Sequence, residues 1–226
     1  MTLKTMLFCQ AILFTGIVSS QTHHHRAEND TTTSVNAFMH QNSTEELIKD
    51  FESPGRDAYQ QPEKVLNYLA PLKGKKVMDI GAGSGYFSVK LANAGAEVIA
   101  ADVDEAFQAA LKKRIETQKL SHITLRKIDF DSPLLSNNEV DMVLLVNTYH
   151  HIEGRVAYFE KVKSGLSRGG ELVIIDFFKS DIPVGPPVAH KISMDEVLAE
   201  LKKAGFSHFE VNVDLLMYQY IIRAKL

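Results

Sequence analysis

Cysteine is almost missing from this chain: Cys9 is the only one in 226 residues. A lone thiol excludes an internal disulfide and a thiolate zinc site, and it leaves no thiol nucleophile beyond the first few residues. Excess positive charge is missing too. Lys and Arg number 25 against 28 Asp and Glu, and no stretch is basic enough to follow a phosphate backbone, so nucleic acid is not expected as the partner. Nor is there an apolar run of the roughly 20 residues that cross a bilayer. What remains is a composition 45% hydrophobic and 23% charged, enough to bury the core of one ordinary domain and too apolar for a disordered tail.

The longest apolar run, Met6 to Val18, follows a single positive charge at Lys4 and precedes the small residues Val18-Ser19-Ser20. That layout predicts a secretory signal peptide over residues 1–20 and a periplasmic or secreted protein with no membrane span after cleavage. Residues 21–42 are polar and weakly patterned, as a flexible tether is. Within them, cleavage after Ser20 would leave Gln21-Thr22-His23 at the new N terminus. A free amine with His at the third position can chelate Cu(II) or Ni(II). A solvated tail is the plainer alternative, and no metal site is assigned.

Globular patterning starts at Ser43, which with Glu46 forms a capping box. A helix through Phe51 is broken at Pro54-Gly55 and followed by another after Pro62, giving a helical N-terminal segment over 43–73. From 74 to 226 strands and helices alternate. Strands are expected at Lys76–Ile80, Glu97–Val103, Ile123–Ile128, Val140–Val146, Glu171–Ile175, Phe206–Val213 and Gln219–Ala224. Between them Gly85–Ala94, the segment from Asp104 and Arg155–Leu166 read as helices, and Ser193 with Glu196 reads as a second capping box. The pattern predicts an α/β fold: a Rossmann-like open sheet of about seven strands, mostly parallel with an antiparallel last strand, and helices on both faces.

In such a sheet, ligands sit beyond the carboxyl ends of the strands. The first strand runs into Asp79-Ile80-Gly81-Ala82-Gly83-Ser84-Gly85-Tyr86-Phe87. A dinucleotide fingerprint would place its third glycine at 86, which is Tyr86. Instead Gly81, Gly83 and Gly85 alternate, and Asp79 would repel a pyrophosphate while suiting an ammonium or sulfonium charge. A nicotinamide-dependent oxidoreductase is therefore the weaker reading.

These residues resemble the first motif of class I S-adenosylmethionine-dependent methyltransferases, Asp-x-Gly-x-Gly-x-Gly. The resemblance continues over residues 60–226. Val98 to Asp102 is similar to the second motif, whose acidic residue holds the cofactor's ribose. Asp129 and Phe130 fall where the family places an acidic residue near the adenine amine and an apolar one against the ring. Leu166 to Leu172 is similar to the turn before the fifth strand. Phe51 to Asp57, Asn147 to Ile152 and Pro183 to Pro187 further resemble a group of exported bacterial methyltransferases of unassigned substrate. That resemblance implies S-adenosylmethionine as cofactor and a lid over residues 51–60, with Arg56, Asp57, Tyr59 and Gln60 as its polar contacts. A solvated surface turn is the alternative for that segment.

Methyl transfer needs an aligned acceptor, a dry site and, for a protonated acceptor, a base. Tyr149, His150 and His151 follow one middle strand and Asp176 the next, where a carboxylate could orient an imidazole; His190 lies on the proline loop. The same rings could instead merely pack. No Asn/Asp-Pro-Pro-Tyr segment is present, which disfavours amino methylation of adenine or glutamine in that style. A small-molecule acceptor is expected. A non-catalytic cofactor-binding sensor or scaffold is the alternative.

Overall fold

The computed structural model describes residues 43–226. The expected signal peptide (1–20) and tether (21–42) lie outside the described residues. Three short helices come first: α1 (Thr44–Phe51), α2 (Pro54–Gln60) and α3 (Pro62–Leu69). Ser43 and Glu46 form the expected capping box, with the Ser43 Oγ accepting from the Glu46 N–H at 3.2 Å. Pro54, expected to break the chain, opens α2 instead. At the first helical position proline sacrifices no hydrogen bond, and Ser53 caps the turn by accepting from the Arg56 N–H. Gln61, in the left-handed region at φ 43°, ends α2 and leads into Pro62 of α3.

The alternating part consists of β1 (Lys76–Ile80), α4 (Tyr86–Asn93), β2 (Glu97–Asp102), α5 (Glu105–Gln118), β3 (Ile123–Lys127), β4 (Val140–Val146), α6 (Arg155–Gly165), β5 (Leu166–Phe177), α7 (Met194–Lys203), β6 (His208–Asn212) and β7 (Gln219–Lys225). One sheet holds all seven strands in the order β3-β2-β1-β4-β5-β7-β6. β1 to β5 pair in parallel, and β7 runs antiparallel to both β5 and β6. The predicted fold is therefore the observed one. Strand order reverses between β1 and β4, and this switch point opens the crevice that holds the site.

β4 shows why the middle of the sheet reads as an unbroken apolar run. Met142, Leu144 and Val146 enter one hydrophobic layer with Val65, Leu69, Phe87 and Leu91, while Val143 and Leu145 enter the other with Phe159, Val162, Val197 and Leu201. Both faces are covered, so both phases of the two-residue period must be apolar.

Two local expectations change. Ser193 precedes α7 in an extended conformation but does not cap it; its hydroxyl bonds to the Asp195 carboxylate. Asp195, two positions on, captures the hydroxyl that the Ser193/Glu196 spacing reserves for the backbone. Gly169-Gly170, expected in the turn before the fifth strand, lies inside β5. The helix ends at Gly165, and β5 begins at once with an insertion, so that Val140 faces Leu166 but Met142 faces Glu171. Among the described residues no helix is long and apolar enough to cross a membrane.

Candidate active site

Beyond the carboxyl ends of β1, β2, β4 and β5 lies a cavity of about 910 Å³, near the upper end for a small-molecule site. Phe51, Arg56 and Tyr59 from α1 and α2 line it from the N-terminal side, Asp79 to Phe87 form its floor, and His190 and Pro186 of the proline loop close the far end.

The three glycines of the floor serve different ends. Gly81 (φ 76°) and Gly85 (φ 82°) are tightly packed: a Cβ would lie 2.4 Å from Thr148 Oγ1 or from Leu111 Cδ1, respectively. The Gly83 N–H points to Asp102 and donates to its Oδ2 at 2.8 Å. Asp102 Oδ1 accepts from the Asp104 N–H at 2.9 Å. One buried carboxylate therefore holds the turn after β1 against the turn after β2, and it still lines the cavity. Burial raises its pKa, opposed by these backbone bonds.

Asp79 is also buried and accepts from Ser88 Oγ at 2.6 Å. Loss of solvation pushes its pKa up to about 6; Ser88 and the Arg56 charge oppose the rise and Asp102 adds to it. In the empty fold this group binds more protons than the unfolded chain, so its contribution to stability falls as pH rises from ~3.9 toward 6. Binding of a cation has the opposite sign, because only the ionised carboxylate attracts it. Cofactor affinity measured by calorimetry should be flat at pH 7–8 and weaken by up to about tenfold per unit below pH 6. Asp79→Asn should bind more weakly and lose that slope. An unchanged slope would assign it to another group, Asp102 first.

On another wall of the cavity, His150 and His151 lie in a short 3₁₀ turn, Tyr149–His151, directly after β4. His150 is buried, and its Nδ1 lies 3.0 Å from both Asp176 oxygens at the end of β5. Asp176 is itself fixed by the Phe177 N–H at 2.8 Å. A carboxylate on Nδ1 sets the tautomer and leaves Nε2 as the nitrogen that can accept a proton. The His151 ring lies against that of His150, centroids 4.3 Å apart. Burial, then the His150 charge, depresses its pKa to about 3, so His151 is neutral at physiological pH.

Tyr149 does not belong to this wall. Its side chain is fully buried on the other side of the turn, stacked on Phe159, with its hydroxyl donating to Glu200 of α7 at 2.5 Å. A 3₁₀ turn spaces neighbours by about 120°, so the two histidines and the tyrosine cannot all face the cavity. Of the pair after β3, Phe130 lines the cavity with its ring 64% exposed, whereas Asp129 is exposed outside the lining. Asp104, Glu105 and Lys127 supply the polar groups of that wall instead.

Sequence reasoning missed a buried ring of three amides. Gln60 Nε2 donates to Gln219 Oε1 (2.9 Å), Gln219 Nε2 to Asn147 Oδ1, and Asn147 Nδ2 to Gln60 Oε1 (3.3 Å). It joins the end of α2, the loop after β4 and the start of β7. The members lie 72, 87 and 159 residues apart, so no local pattern announces it. Among the described residues no group of three or more His, Cys, Asp or Glu is placed to hold a metal.

Comparison with known proteins gives the following likenesses. Residues 77–170 match the sequence model described as "Methyltransferase domain". A tRNA U34 carboxymethyltransferase of Haemophilus influenzae is 29% identical over 116 residues, covering 50% of this chain and 35% of that one. The chain thus spans about a third of the length of the curated relatives it matches. A crystal structure of an S-adenosylmethionine-dependent methyltransferase from Aquifex aeolicus superposes with a TM-score of 0.75 at 26% identity, over 81% of this chain and 98% of that one. An N-methyltransferase of Haemonchus contortus, solved with S-adenosylhomocysteine and phosphomonomethylethanolamine, shares the fold (TM-score 0.62, 23% identity, 75% and 42% coverage).

Proposed function

We infer, for a chain whose residues 77–170 match a methyltransferase domain, that it transfers a methyl group from S-adenosylmethionine to an ionisable hydroxyl of a small, planar molecule. The observation that carries this reading is the His150–Asp176 pair. A carboxylate-oriented imidazole on the cavity wall is the arrangement that removes a proton from an oxygen, and an unprotonated amine, strongly nucleophilic before it loses any proton, would not need it.

The cavity fits the cofactor. Asp102 offers a carboxylate for ribose hydroxyls, the exposed Phe130 ring offers an apolar face for the adenine, Asp79 offers a negative charge for the ammonium, and the Gly81–Gly85 turn lets the main chain come close. When bound, S-adenosylmethionine supplies an electrophilic methyl group whose departing sulfur takes the bonding pair and becomes a neutral thioether. The chain does the rest. Helices α1 and α2 act as the lid that excludes water. Tyr59 and Phe177, packed on each other with ring centroids 6.0 Å apart, offer one aromatic wall to the acceptor. His150 Nε2 receives the acceptor's hydroxyl proton as its oxygen bonds to carbon, and Asp176 stabilises the imidazolium that results.

The acceptor-side lining, Tyr59, Asn147, His150, His151, Phe177, Pro186 and His190, contains no carboxylate, which suits an acceptor that becomes anionic. Phenols and enols meet both conditions. Incubation with methyl-labelled cofactor and a panel of small phenols and enols, alongside bulk tRNA, tests the assignment. Label is expected in an O-methyl product. Label in tRNA would replace the small-molecule reading with the acceptor named for the Haemophilus relative. Tight cofactor binding without any labelled product would favour a sensor.

A further inference from the structure

The cavity wall is divided by sign. Its carboxylates, Asp50, Asp79, Asp102, Asp104 and Glu105, come from α1, the end of β1 and the turn after β2. Its imidazoles, His150, His151 and His190, come from the turn after β4 and the loop after β5. Asp176, the carboxylate beside them, is buried behind the wall and engaged by His150 Nδ1 at 3.0 Å. Of the two other cations in the lining, Lys127 is paired with Glu105 at 2.8 Å, and Arg56 is packed on the Tyr86 and Phe51 rings. A wall divided in this way attracts the cationic part of its contents to one region and the anionic part to another.

His190 is held in place by the loop that carries it. Lys191, next in the chain, is buried, and its Nζ donates to the Ser180 carbonyl at 2.9 Å, which closes the loop end to end. Gly185 (φ 82°) rests on the Phe177 ring, where a Cβ would come to 2.7 Å. The His190 N–H donates to the Pro187 carbonyl at 2.9 Å. Its half-buried ring lines the cavity within electrostatic range of His151, and among the described residues no side chain hydrogen-bonds it. His150 is committed to Asp176 and His151 is neutral, so His190 is the imidazole left to meet a ligand. An imidazole donates an N–H to a carboxylate, and an adjacent anion favours its charged form. A phosphate dianion calls for Arg or Lys, and the loop brings neither to the cavity. We propose that the acceptor is a hydroxy acid, a planar molecule with a carboxylate besides its hydroxyl, and that His190 is the counter-ion of that carboxylate. The carboxylate anchors the molecule and takes no part in the transfer. The proposal rests on the hydroxyl-acceptor reading and names the class of acceptor.

The test is calorimetry on protein saturated with S-adenosylhomocysteine, using the three positional isomers of hydroxybenzoate and the matching hydroxybenzamides, which keep the shape and lack the charge. Wild-type protein should prefer at least one acid over its amide by about 10–150-fold, the span of a charge-assisted hydrogen bond. His190→Gln should lose that preference while binding the amide within about threefold of wild type. His190→Arg should keep it, since a cation replaces a cation. Thermal melts report whether each variant remains folded. Equal binding of acid and amide by wild type, binding of no acid, or a preference that survives in folded His190→Gln would each overturn the proposal. Methyl-labelled cofactor then separates it from the reading beneath it. Label is expected in a methoxy acid. Label in neutral phenols alone would overturn the proposal and leave the hydroxyl reading standing, whereas a tightly bound acid that receives no methyl would refute the hydroxyl reading and leave the anion site. Label recovered as a methyl ester would make the carboxylate the acceptor and overturn both.

Discussion

Replacing His150 with alanine is expected to lower turnover of the acceptor by about 10²–10⁴-fold, the range for removal of a general base, with cofactor affinity nearly unchanged. The separation follows from the geometry. His150 lines the cavity from the turn after β4, whereas the cofactor contacts proposed above come from the turns after β1 and β2. Asp176→Asn should fall in the same direction by a smaller factor. Asp176 Oδ1 alone already accepts from both the His150 Nδ1–H and the Phe177 N–H, so an amide oxygen keeps these bonds, but the amide lacks the charge that stabilises the imidazolium. His151→Ala is the control within the pair. His151 is neutral and packed on its neighbour, and its loss should act through stability. Comparison of turnover, cofactor affinity and melting temperature across the three variants decides the matter. Full activity in His150→Ala would remove the base and leave positioning alone to explain transfer.

Asp102→Ala is expected to weaken cofactor binding by about 1.5–3 kcal/mol, the worth of hydrogen bonds to a charged group. The structure adds a second cost that spacing alone does not reveal. Asp102 also accepts from the Gly83 and Asp104 N–H groups, and each donor orphaned by the substitution costs about 1–3 kcal/mol if it stays buried. The empty protein should therefore melt several degrees lower, at about 2–4 °C per kcal/mol for a chain of this size. Asp102→Asn keeps one acceptor and should fall between. Calorimetry and thermal melts separate the two effects. An unchanged affinity would take Asp102 away from the ribose, and an unchanged melting temperature would deny it the backbone role.

Strands whose two faces are both buried announce themselves as apolar runs, and β1, β2 and β4 are found within one residue of the expected limits. The glycine turn and Asp102 were legible for a similar reason: a left-handed backbone and a carboxylate at a strand end leave traces at fixed spacing. What misled was local chemistry with two solutions. Ser193 has Glu196 three residues on, but Asp195 reaches its hydroxyl first. Tyr149 follows β4 as closely as His150 does, yet it turns to Glu200, 51 residues away, which no short pattern can indicate. Arg56 was visible as a polar residue of the expected lid, but its unpartnered Nε becomes apparent only when Asp57 and Glu52 are seen to be engaged elsewhere.

The ring of Gln60, Asn147 and Gln219 has a sense of rotation. Each amide donates once and accepts once around the circle, so turning over any single amide sets donor against donor and acceptor against acceptor. Only a concerted reversal of all three restores the circle, and the ring therefore behaves as one cyclic unit with two directions. Conversion of any member to its acid removes a donor and places a negative charge where no cation waits. The seam between α2, the loop after β4 and the last strand is thus neutral and indifferent to pH, and it would yield to loss of ammonia from one side chain.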